Sequence, residues 1–234
     1  MIKRGIEIGV AIAPVLTYLP LFVSKNIQHT VEHFDIKISF IVITSSILKI
    51  CFFIGESYNY ALLIQSILLL ITMIALLFVI SRHSDKVNFL NIILIFALFA
   101  CVSVSISYYL RDENVYVQTV GSIALFIDVL ITIPQIWHNF QAKNAEGIPL
   151  ITISAWSLGD VVKTMCYLIL NAPLQFICCA ICQFISDIIV IIQIFIYSPK
   201  MITEGISLED IRNFFPKRSE NGVAADTPFE DVEN

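Results

Sequence analysis

Five ionisable side chains sit in stretches otherwise apolar enough to cross a membrane: Lys49, Asp128, Asp160, Lys163 and Asp187. Each costs about 2.5–3.5 kcal/mol at the bilayer centre, on the order of 12–17 for the set if unpaired. Net stabilities are only about 5–15 kcal/mol, so these groups must face one another or a wet cavity. Asp160 and Lys163 are three residues apart and share a helix face, while Gln183 and Asp187, four apart, share another. Two lysines against three aspartates leave one negative charge over, to be neutralised by a proton, a bound cation or a cationic part of a substrate. One reading is a structural salt-bridge network holding helix bundles together. The sharper reading is a polar translocation path through Lys49, Asp128, Asp160, Lys163, Gln183 and Asp187, since intramembrane ionisable groups are functional by default.

These residues require membrane helices to position them. Of the 234 residues 57% are hydrophobic and only 14% charged, with a mean hydropathy of +0.83, which excludes an ordinary soluble domain. Seven apolar stretches, near 6–23, 38–54, 58–80, 88–110, 116–137, 149–170 and 174–197, are each long enough to span as a helix. Residues 1–199 thus form one transmembrane domain, and 200–234 a cytoplasmic tail, polar, acidic and largely disordered, opening on a short amphipathic segment. The net charge of −5 comes largely from that tail, so nucleic acid is not expected as a partner. The first stretch carries Glu7 and lacks a clear small-residue cleavage pattern, so it is expected to be retained. All six cysteines fall within spans and are expected to be packing thiols. Nine Lys and Arg residues lie in the loops after spans 1, 3 and 5 and in the tail, against three on the other side. The positive-inside rule puts the tail in the cytosol and the amino terminus outside or in a lumen.

An internal repeat organises the chain. An offset of 114 carries Val15, Leu16, Pro20, Glu32 and Lys49 onto Val129, Leu130, Pro134, Glu146 and Lys163 without a gap. Four residues inserted in the next loop then bring Gln65 onto Gln183. Residues 6–80 and 116–197 are therefore two three-helix repeats, and 88–110 is a charge-free linker helix, facing lipid or packing passively. Four helices separate equivalent elements, so both halves cross in the same direction. Pro20 and Pro134 remove a helical donor and free the carbonyls of Leu16 and Leu130, which predicts a kink in spans 1 and 5. Gln135 could donate to its break, whereas Leu21 cannot.

Pro134-Gln135, a short polar loop and then Gly159-Asp160 resemble the PQ-loop motif of the solute carrier 66 family, seven-span proteins of a 3+1+3, SWEET-like all-α plan. The likeness covers residues 6–197, with a degenerate first copy in which Leu21 stands where Gln is expected. Residues 159–164, Ala172 to Phe176, Gln183 and Asp187 are similar to one branch, that of PQ-loop repeat-containing protein 1 and its fungal flippase-antagonist relative. This resemblance implies scramblase-like phospholipid translocation at Golgi and endosomal membranes, supporting endosome organisation and endosome-to-Golgi retrieval. Other members of the family imply a second function, proton-coupled export of a small organic solute such as an amino acid, with protons as partners.

The residues themselves leave both open. A headgroup would offer phosphate to Lys49 or Lys163 and an amine to an Asp, along a path open sideways so that acyl chains stay in hydrocarbon. A small solute would need a closed site gated alternately, with the surplus Asp as a proton-coupling group. A third class is a non-transporting scaffold acting through its tail. Neither a cofactor nor enzymatic chemistry is expected. His29 to His33 matches the H-x-x-E-H zinc pattern, but its loop and the lack of His in its repeat counterpart argue against a metal. Gly5 and Gly9 form a GxxxG expected to permit close helix packing. Trp137 and Trp156 fit either interface or core.

Overall fold

The computed structural model describes residues 2–16, 18, 36–83, 88–143 and 150–197. Among these there are eight helices and no strand: α1 Ile2–Leu16, α2 Ile36–Glu56, α3 Tyr60–His83, α4 Phe89–Tyr109, α5 Asn114–Val129, α6 Ile133–Ala142, α7 Leu150–Ile169 and α8 Leu174–Tyr197. Four of them, α2, α3, α4 and α8, are long and apolar enough to cross a membrane. Of the other three expected spans, the first, near 6–23, runs past the described residues, and the fifth and sixth differ for local reasons. α7 has 20 residues, but Asp160, Lys163 and its hydroxyl side chains dilute its apolar character. The fifth span is two helices, because the chain leaves α5 at Val129 and re-enters helix at Ile133, with Pro134 as the second residue of α6. Proline is well tolerated in a first turn, where its missing donor has no partner to lose. At the expected kink three turn residues, Leu130 to Thr132, separate the two helices, held by backbone i→i+3 bonds and by the Thr132 hydroxyl, which donates to the Val129 carbonyl at 3.0 Å. Pro20 and the tail lie outside the described residues, as does the side chain of Gln135.

The turns carry the repeat. Ser57, between α2 and α3, and Asn171, between α7 and α8, stand 114 residues apart and both adopt the left-handed region, at φ 48° and 51°. The four-residue insertion expected before Gln183 is absent from this turn, because α3 and α8 begin at Tyr60 and Leu174, 114 apart. A displacement of four residues is about one helical turn, so Gln183 lies one turn deeper than Gln65 on a matching face.

α2 and α5 are the most extensively packed pair. Glycines let them approach: a Cβ on Gly121 would meet the Phe52 ring at 2.8 Å, and one on Gly55 would run into the Val117 side chain. Ser45 donates across the same contact to the Ala124 carbonyl at 3.0 Å. α3 packs on α1 and α2, and α8 on α5, α6 and α7, whereas among the described residues α1 meets α7 only sparsely. α4 leans on α2 and α3 with only Ser107 fully buried, and Leu90, Leu94, Ile95 and Leu98 face outward. Gly5 and Gly9 differ from the expectation placed on them: among the described residues nothing lies within 4 Å of a Cβ at either, so no close helix approach is seen there. Trp137 and Trp156 are both exposed, and neither belongs to the core.

Phe52 is fully buried against two other rings and cannot yield, so Gly121→Ala should cost about 1–3 kcal/mol, as overpacked cores do. Its unfolding midpoint in detergent should fall clearly below that of Gly9→Ala, which should match the parent protein. Equal midpoints for the two variants would contradict the close α2–α5 contact.

Candidate functional site

Lys49 lies seven residues before the end of α2, and Lys163 six before the end of α7, so each sits about 10 Å below the same end of the bundle. Lys49 is buried, at 5% exposure, and forms a salt bridge with Asp128 near the end of α5. Lys163 is paired differently: it meets Asp160 on its own helix at 2.7 Å and donates to the Gln183 side-chain carbonyl on α8. The i, i+3 spacing on α7 thus places the two groups together as the helical period requires.

The fifth ionisable group, Asp187, is the surplus charge. It is buried at 5% exposure, and its Oδ2 has no hydrogen-bond partner among the described residues. One helical turn separates it from Gln183, so it stands beside the Lys163 cluster without sharing a hydrogen bond or ion pair with it.

Between the two lysines lies a cavity of ≈160 Å³. Its polar lining includes Lys49, Gln65, Ser66, Asp128, Lys163 and Gln183. The first and second repeats both contribute. Four of the six residues read from the sequence as a path are therefore brought together: Lys49, Asp128, Lys163 and Gln183. Asp160 is tied to the wall through Lys163, and Asp187 is outside it. Pro134 is exposed and does not line the cavity. Gln65 was visible only as the repeat partner of Gln183.

Nothing in the residue pattern marks what closes one end. Phe52, Tyr58, Tyr167 and Phe176 flank the two equivalent turns and form one aromatic cluster, with Phe176 centred 5.0 Å from Tyr58, 5.8 Å from Tyr167 and 6.3 Å from Phe52. Such tilted and edge-on rings attract beyond their buried area. Tyr58 also donates to the Lys49 carbonyl at 2.8 Å, and the Tyr167 hydroxyl reaches Gln65 at 3.5 Å, so the cluster is fastened to the cavity wall.

The two halves are not charged alike. The 114-residue offset puts Pro14 where the second repeat has Asp128, and Ser46 where it has Asp160. The α2–α5 seam therefore has a buried ion pair across it, and its equivalent, α1–α7, has a proline in the acidic position.

The PQ loop repeat profile matches residues 116–176, from α5 to the start of α8. The chain is 34% identical over 73 residues to the vacuolar histidine transporter YPQ3 of Saccharomyces cerevisiae, covering 31% of this chain and 25% of that one. It is 28% identical over 98 residues to the scramblase ANY1 of the same yeast, 39% of this chain and 23% of that one. Over 45 residues it is 36% identical to the yeast vacuolar lysine transporter YPQ1, 19% of this chain and 15% of that one. The matched segments span a quarter or less of each relative. No solved structure matches the chain.

Removing one partner of a buried pair leaves an uncompensated charge and costs about 3–5 kcal/mol, whereas replacing both by apolar groups is often neutral. Lys49→Met and Asp128→Leu should each lower the unfolding midpoint strongly, and the double variant should recover most of the loss. Additive losses would show that the two groups do not pair.

Proposed function

We propose that this chain, a multi-pass membrane protein of the PQ-loop family, translocates phospholipids between leaflets in a scramblase-like manner. The observation that carries this reading is the inequality of the two seams. A lipid can cross only if its headgroup follows a polar route while its chains remain in hydrocarbon, so the route must be open sideways. The cavity supplies Lys49 and Lys163 as groups a phosphate could borrow from Asp128 and Asp160. One lateral seam, α2–α5, is sealed by glycine contacts and an ion pair, while α1 and α7 touch sparsely and lack the pair. The name of the relative ANY1, a scramblase, supports the same class.

The 3+1+3 plan belongs to this proposal. It is supported by the matching turn conformations and by packing pairs that correspond under the repeat: α2–α3 with α7–α8, α1–α3 with α5–α8, and α2–α5 with α1–α7. The orientation, amino terminus lumenal and tail cytosolic, rests on the Lys and Arg distribution. The Golgi and endosomal setting, with its role in retrieval, rests on the branch resemblance.

A second reading is proton-coupled transport of a small organic solute. Asp187 favours it, as a buried carboxyl with an unpartnered oxygen beside the cavity, and so do the names of YPQ3 and YPQ1.

Liposomes carrying the purified full chain and fluorescent phosphatidylcholine separate the readings. Leaflet exchange above that of protein-free vesicles is expected, reduced about tenfold by Lys163→Gln, the factor lost with one charge-assisted contact. Histidine or lysine uptake driven by a pH gradient, without lipid exchange, would replace the first reading by the second. Neither activity would leave the scaffold role.

A further inference from the structure

A second concavity, of ≈890 Å³, opens at the end of the bundle that holds the amino terminus, apart from the central cavity. One face of α1 and one face of α3 form its walls, and it reaches the end of α7 at Leu170 and Asn171, so it sits at the loosely closed α1–α7 seam. Its composition is graded. Arg4, Glu7, Asn59 and Asn171 lie at the mouth, near the helix ends. Ile8, Ile12, Ile64 and Leu68 form the walls further in, with the small buried side chains of Ala11 and Ala61 between them. From Arg4 to Ile12, and from Tyr60 to Leu68, the groove follows each helix for about 12 Å. Ile8, Ile12 and Ile64 are exposed along it, at 60%, 42% and 48%.

Arg4 and Glu7 are three residues apart and share the groove face of α1. Neither makes an ion pair or a side-chain hydrogen bond among the described residues. An unpaired guanidinium suits a phosphate bidentately, and a carboxylate one turn away suits an ammonium. A free zwitterionic solute would satisfy these two groups and leave the aliphatic walls uncovered. A lipid headgroup satisfies them while its acyl chain covers the walls. Tyr58 lines this groove and also belongs to the aromatic cluster that borders the central cavity, so the two spaces are divided by one layer of rings.

We propose that the α1–α3 groove docks one zwitterionic phospholipid of the adjoining leaflet, with phosphate on Arg4, amine on Glu7 and an acyl chain along Ile8, Ile12, Ile64 and Leu68. Its purpose rests on the translocation reading above, as the place where a lipid waits beside the looser seam; its occupancy does not.

The test uses full-length protein in phosphatidylcholine vesicles containing a trace of phosphatidylethanolamine with a photoactivatable acyl chain, adducts being mapped by peptide mass spectrometry. Adducts are expected on residues 8–12 and 64–68. Arg4→Gln should cut their yield about tenfold, the loss expected for one charge-assisted contact. Glu7→Gln should cut it for phosphatidylethanolamine and not for an amine-free phosphatidylglycerol probe. Lys49→Met/Asp128→Leu should leave the adducts unchanged, because it alters only the central cavity. Adducts no richer here than on the outward face of α4, yields insensitive to Arg4, or cross-linking to a second copy of the chain would overturn the proposal. Leaflet exchange is measured in the same vesicles. Arg4-dependent adducts without exchange would keep the groove and remove the translocation reading. Exchange without such adducts would do the reverse.

Discussion

An ammonium group held within a bilayer has to be met by an anion, by polar oxygens or by water, and this chain has two such groups within spans. The structure answers the demand in two ways. Lys49 takes its carboxylate from the other half of the molecule, so α2 and α5 are joined across the seam between repeats. Lys163 is served by Asp160 on its own helix and by Gln183 on the next, so it joins nothing across the equivalent seam. Because one pair bridges helices and the other does not, the α2–α5 contact is firm and the α1–α7 contact, among the described residues, is loose. The close glycine contacts at Gly55 and Gly121 reinforce the firm side.

This asymmetry ties the chemistry to a route. A cavity with two cationic groups on its wall offers transient partners to a phosphate, provided their resident carboxylates can exchange. The aromatic layer of Phe52, Tyr58, Tyr167 and Phe176 limits that cavity at the end bearing the amino terminus, and the graded groove lies beyond the layer. Asp187, outside the wall and without a partner for Oδ2, is the group whose neutralisation the charge balance requires.

Much of this was legible before any coordinates, because bilayer chemistry writes coarse rules into sequence. Four of the spans follow from length and hydropathy, and the two left-handed turns at Ser57 and Asn171 stand at the 114-residue offset that the repeat register sets. The i, i+3 pairing of Asp160 with Lys163 follows from helical geometry alone. What escaped depends on contacts between segments far apart in the chain. Nothing local singles out Asp128 as the partner of Lys49, 79 residues away. Glycine spacing pointed to Gly5 and Gly9, yet the close approach occurs at Gly55 and Gly121, since only packing decides which glycine meets a neighbour. The break in the fifth span was foreseen as a kink. Its extent was not, because it depends on how three residues, Leu130 to Thr132, are capped. The aromatic cluster was invisible among 17 Phe and 8 Tyr, where any ring could have faced lipid.

The central claim is that the charged groups meeting between the halves carry a headgroup as well as holding helices together. Leaflet exchange by the Lys49→Met/Asp128→Leu protein tests it most directly, because that variant keeps the seam packed while removing its charge. The account predicts a folded protein whose exchange falls to the level of protein-free vesicles. Exchange at the parent rate would show that the pair is structural alone and that lipid takes another way across.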